Sequence, residues 1–130
     1  MEVALASTVH RVAVGVHAVL AVWLLANGAA HQLGVMLGAW RGTLRHPEDL
    51  DGLLACGAGL LVAGALVSWS LAGLLRGATG FALASLGALA LVVLLMAMRY
   101  GWMFLGGTTL LAVIDLVVIV ALASSAAPAR

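Results

Sequence analysis

One stretch limits what this chain can be: Thr8 to Trp40, thirty-three residues without a proline and with Arg11 as the only charge. At helical rise such a segment is about 50 Å long, against a bilayer hydrocarbon core of about 30 Å. It has to tilt, kink or protrude, and Asn27-Gly28 is the expected weak point. Residues up to about Ala30 are expected to span, with His31 to Trp40 at or beyond the interface.

The stretch also holds three of the four histidines, His10, His17 and His31, spaced seven and fourteen residues apart. At about 100° per residue, seven residues return to nearly the same helix face. The three histidines therefore define one slowly drifting stripe, which Asn27 joins one turn before His31.

Composition decides what surrounds this helix. The chain of 130 residues is 65% hydrophobic and 8% charged, with a mean hydropathy of +1.20. A soluble domain is about 25% charged. Too few polar groups remain to cover a water-facing surface, so lipid is the expected solvent. Net charge is +1, and the chain has no basic run to bind phosphates, which excludes a nucleic-acid partner. Cys56 is the only cysteine. Intrachain disulfides and Cys-pair metal sites are excluded, and Cys56 reads as a small packed residue rather than a reactive thiol. Glu2, the lack of a basic lead and the length of the apolar run argue for a retained first helix rather than a cleaved signal.

The pattern predicts an all-α membrane protein, one domain over 1–130: a bundle of four transmembrane helices near 8–39, 52–76, 79–99 and 102–124. Ser7 or Thr8 is the expected first cap. Connections are short except for one polar loop at 41–51, RGTLRHPEDLD. Its Arg41, Arg45, Glu48, Asp49 and Asp51 make it either a docking loop for a partner or an ordinary solvated connector. Ala55, Gly59 and Ala63 on the second helix, and Gly80, Ala84 and Ala88 on the third, are small-residue faces suited to close packing. Ser85 has the bland reading of a bond back to its own helix. Trp40 and Trp102 fit a boundary belt, while Trp23 and Trp69 read as deeper packing residues. The arginine count, three against two or three, favours loops one and three in the cytoplasm.

Asp115 is the sharpest chemical signal, an acid between Leu110–Ile114 and Leu116–Val120. At a helix centre it costs about 2.5–3.5 kcal/mol on insertion scales, so it has to face the interior and pair or take up a proton. His17 is expected at the same depth from the side of the termini, which makes it the expected partner, with Thr108 on the same face as Asp115. This site is either a proton relay or a structural hydrogen bond. His17, Asn27, His31 and Trp23 are the candidate ligand-binding residues. Haem held by His17 and His31 is a further reading; it needs second axial ligands from a dimer, a partner subunit, or Met36, Met96 or Met103. A quinone is the other cofactor considered.

The length and four-helix layout resemble the DoxX-like small membrane proteins, and His17 to Trp23 resembles the His-x5-Trp opening of some haem- or copper-linked membrane families. The first covers a helix count and the second one helix; the Leu-Pro-Arg continuation of one such family is absent. No phosphate-binding glycine loop with Lys, no His-Glu-x-x-His and no Gly-x-Ser-x-Gly is present.

The role expected from these readings is an accessory or structural subunit of a larger membrane complex, respiratory or redox among the options, in a bacterial inner membrane. Lipid, other membrane subunits or further copies of the chain are its expected partners, and it carries no autonomous enzyme activity. The alternatives are a haem- or quinone-binding redox subunit on the His17/His31 face and a small proton-coupled transporter centred on Asp115.

Overall fold

Four long helices account for the chain in a computed structural model that describes residues 1–101 and 105–126, with side-chain surroundings through 125. Helix α1 runs Glu2–Arg41, α2 Leu50–Leu75, α3 Gly80–Tyr100 and α4 Gly106–Ala126, with one 3-10 turn at Pro47–Asp49. All four are long and apolar enough to cross a membrane. The chain is an all-α, four-helix integral membrane protein that crosses the bilayer several times. Exposed Val22, Leu33, Val62, Leu95 and Val117 give its outer surface to lipid.

Helix α1 begins earlier than its sequence suggests. Thr8 lies inside it, bonding back to the Ala4 carbonyl at 2.9 Å rather than capping. Its 40 residues make a rod about 60 Å long. The stretch through Asn27-Gly28 is helical without interruption. Gly28 is a contact point: a methyl there would come 2.9 Å from Leu61 Cγ and 3.1 Å from the Leu61 backbone nitrogen. Gly57 against Gln32 and Gly64 against Leu25 continue this seam, so missing side chains let the α1 and α2 backbones approach. Asn27 satisfies itself, donating Nδ2–H to the Trp23 carbonyl at 2.8 Å.

Two turns are closed by left-handed glycines. Gly42 (φ 66°) ends α1, with Thr43 N–H donating to the Gly38 carbonyl at 2.9 Å. Gly77 (φ 83°) ends α2 in the same way, with Ala78 N–H on the Gly73 carbonyl at 3.0 Å. A side chain at positive φ would be strained, which is why glycine closes both.

The helices are arranged in the order α4–α1–α2–α3, with α1 most closely packed on α2 and α3 touching α4 least. The core is built from Ala13, Leu20, Leu24, Val67, Leu74, Leu89 and Ile119. Of the two small-residue faces, Gly59 and Ala63 pack inward, but Ala55 and Ala84 are exposed and a methyl on Gly80 would meet nothing. Helix α3 instead buries Ala82, Ser85, Leu86, Leu89 and Val93. Trp69 is 72% exposed and meets Phe81 edge-on with ring centroids 6.0 Å apart, facing outward rather than packing inside. The sequence reading of Trp102 and Met103, and of a helix start at 102, lies outside the described residues.

Candidate functional site

Each of the four helices contributes one polar side chain to a single buried cluster. His17 on α1 places Nδ1 2.6 Å from Asp115 Oδ2 on α4 and Nε2 2.6 Å from Ser70 Oγ on α2. Ser70 Oγ lies 3.3 Å from Ser85 Oγ on α3. His17, Ser70 and Asp115 have no exposed surface, and Ser85 is 1% exposed. The cluster lies five residues inside α2 and five inside α3, about 8 Å from the turn at 76–79. It is therefore nearer the membrane face that carries the termini.

Donor accounting places the protons. Ser70 also lies 2.8 Å from the Val67 carbonyl, which can only accept, so the Ser70 hydroxyl donates there. Nε2 of His17 then donates to Ser70 Oγ. Ser85 donates to the Ala82 carbonyl at 2.7 Å. One further proton occupies the short bond between Nδ1 and Oδ2. On either atom it leaves the pair neutral overall, as imidazolium with carboxylate or imidazole with carboxylic acid. Without it a net negative charge would stand in a dry interior, which is costly. Asp115 Oδ1 is buried with no hydrogen-bond partner among the described residues.

Thr108, expected on the Asp115 face, is buried but lies two turns away. It accepts from Trp23 Nε1 at 3.0 Å and stands apart from the cluster. Asn27 and His31 are also elsewhere. They line a cavity of about 770 Å³ toward loop 42–49, together with Arg45, His46, Cys56, Leu60, Met96, Arg99, Tyr100 and Thr108. The His17/His31 stripe is thus divided between two places, fourteen residues or about 21 Å apart along α1.

Haem ligation requires an imidazole nitrogen to face iron. Both nitrogens of His17 are engaged, and His31 donates Nε2–H to the Leu53 carbonyl at 2.8 Å. Neither histidine presents Nε2 to a metal in this arrangement. Among the described residues no three His, Cys, Asp or Glu side chains gather to hold an ion. His10 is likewise tied down, on the Leu74 carbonyl at 2.8 Å.

In the polar loop, Asp49 ties the 3-10 turn to the end of α3. It accepts from Arg99 Nε at 3.3 Å, from Arg99 Nη2 and from the Tyr100 hydroxyl. Glu48 meets only His46, at 3.2 Å in the open, while Arg41, Arg45 and Asp51 are exposed.

Ser70 is the functional candidate that sequence reasoning missed. One signal pointed to it. Ser70 and Ser85 lie symmetrically about the short turn between α2 and α3, and an antiparallel pair brings such positions to one depth.

No family model, curated protein or solved structure matches the chain.

Proposed function

We propose that this chain is a small accessory subunit of a larger membrane assembly, of the bacterial inner-membrane kind, whose working part is the proton shared by His17 and Asp115. One observation supports this: each of the four helices places a polar side chain in one buried cluster, with Asp115, His17 and Ser70 hydrogen-bonded in line and Ser85 Oγ 3.3 Å from Ser70 Oγ. Apolar residues of similar volume would hold the helices together without the cost of burying an acid. Gain or loss of that proton changes the net charge of the interior, and the bonds carry the change to α4, α1 and α2, with Ser85 of α3 in contact beside them.

The connectivity Asp115–His17–Ser70 is also that of a serine hydrolase triad. The hydrolase reading is weaker. Ser70 gives its proton to the Val67 carbonyl rather than to His17, and it is fully buried, where a nucleophile needs substrate beside it.

Infrared difference spectra between acid and alkaline buffer test the proposal. Wild type is expected to show a carboxyl band of Asp115, as carboxylic acid or as carboxylate facing imidazolium, that Asp115→Asn removes and Ser70→Ala shifts. Asparagine can still donate to His17 Nδ1, so the fold is retained while the exchangeable proton is gone. A band unchanged in Asp115→Asn would refute the assignment. Extraction in mild detergent is expected to bring stoichiometric partner proteins with the chain. If the chain instead comes out alone, and alone carries protons across liposomes in a way that Asp115→Asn abolishes, it is a transporter and not a subunit.

A further inference from the structure

The cavity toward loop 42–49 shares no lining residue with the proton cluster. Its volume of about 770 Å³ falls within the range of small-molecule sites, roughly 300–1,000 Å³. Its lining is basic at the loop and apolar below.

Arg45, His46 and Arg99 line the loop end, and no carboxylate lines any part of the cavity. The two nearest acids are accounted for. Asp49 takes the Nε–H and one Nη2–H of Arg99, together with the Tyr100 hydroxyl. A guanidinium has five N–H donors, so three on Arg99 remain. Glu48 meets His46 at 3.2 Å with its side chain 71% exposed, in water where salt screens it. Arg45 takes part in none of the ion pairs among the described residues. The surplus facing the space is therefore positive, and its donors are guanidinium forks, which match a carboxylate or a phosphate.

Further in, Leu53 and Leu60 line the cavity from α2, seven residues or about 10 Å apart along the axis. Met96 and Leu105 lie across from them. The polar residues at this level already have partners inside the protein. Asn27 bonds to the Trp23 carbonyl, His31 to the Leu53 carbonyl and Thr108 to Trp23 Nε1. An apolar body fits here, and the unspent polar capacity lies with the arginines.

We propose that this cavity holds an anionic amphiphile. Its oxyanion head sits on Arg45 and the remaining N–H groups of Arg99, and its acyl chain runs down past Leu53 and Leu60. A free fatty acid and a phospholipid of the surrounding membrane both carry this chemistry.

The experiment measures binding of radiolabelled palmitate and of radiolabelled phosphatidylglycerol to the full chain, delipidated in a non-ionic detergent. Hexadecanol and hexadecyltrimethylammonium compete as an uncharged and a cationic partner with the same chain. At least one of the two anions is expected to bind, and neither competitor to displace it at equal concentration. Binding of palmitate alone identifies a free carboxylate, and binding of phosphatidylglycerol alone a lipid headgroup. Arg45→Gln, in the exposed loop, is expected to weaken binding about tenfold, the scale of a charge-assisted hydrogen bond, and Arg45→Lys to restore part of it. Ala30→Trp locates the site: position 30 is exposed on α1 and lines the cavity, so the indole fills the space. It is expected to abolish binding, whereas Ala29→Trp, exposed beside it but outside the lining, is expected to leave it intact. Binding of neither anion, equal displacement by hexadecanol, undiminished binding in Arg45→Gln, or equal binding by the two tryptophan variants would each overturn the proposal.

Discussion

Toward the α2–α3 turn, His17, Ser70, Ser85 and Asp115 close on one another and exclude everything else; toward loop 42–49, Asn27, His31, Thr108 and Tyr100 stand around a space. His17 and His31 are the same residue on the same helix stripe, yet His17 spends both ring nitrogens on side chains and His31 spends one on a backbone carbonyl. The comparison teaches that polar groups inside a membrane bundle have two stable outcomes. They pair closely, as around His17 where Asp115 Oδ1 is left over, or they keep a valence and line a cavity. Helix periodicity puts a residue on the inner face but does not choose between these outcomes. What faces it on the other three helices does.

The contrast breaks most visibly when the closed end is opened. Asp115→Leu strands His17 Nδ1 and is expected to destabilise the chain by about 1–3 kcal/mol, the range for a buried group left unsatisfied. His31→Phe at the cavity end is expected to cost less than about 0.5 kcal/mol, as for a site away from buried networks. Thermal unfolding in detergent measures both, and equal losses at the two ends would remove the distinction.

A double-mutant cycle sharpens it. His17→Leu combined with Asp115→Leu is expected to recover part of the single losses, with a coupling of about 0.6 kcal/mol, the average for membrane polar pairs. Strict additivity would mean that the 2.6 Å contact between them contributes nothing.

The smallest effect belongs to the rim. Asp49→Asn removes the charge that holds Arg99, a pair whose Arg99 side chain is 60% exposed. The melting temperature is expected to fall by less than for any change above, and the difference from wild type should shrink with added salt, because exposed pairs are screened. A loss that persists undiminished in high salt would show that the rim behaves like the closed end.

Much of the closed end was legible. Asp115 stood out because an acid among ten aliphatic neighbours has no cheap place in lipid, and helix depth alone pointed to His17. Ser70 and Ser85 were harder to see, because a serine in a membrane helix ordinarily bonds back to its own backbone. Both do so here, and both still belong to the cluster. The helix count followed from apolar length, while the α1–α2 seam did not. Gly28 beside Asn27 has the composition of a break, and only the opposite face of α2, with Leu61 lying against it, makes it a contact. Thr108 was placed seven residues before Asp115 on the same face of α4, and a period of seven fixes direction but leaves the partner, here Trp23, open.

Because each helix supplies one member of the cluster, the protein has an order of construction. Helix α4 leaves the ribosome after the other three, and it carries Asp115 amid apolar residues from Leu110 to Val120. Its acid alone costs about 2.5–3.5 kcal/mol of insertion, set against a span that is otherwise strongly apolar. His17, backed by Ser70 and Ser85, waits on the three helices already threaded, so these act as a docking receptor for the fourth. Fused behind three unrelated apolar helices, α4 should integrate less completely than behind its own, as a glycosylation tag on its tail would report. A chain stalled at three spans leaves His17 without its acid.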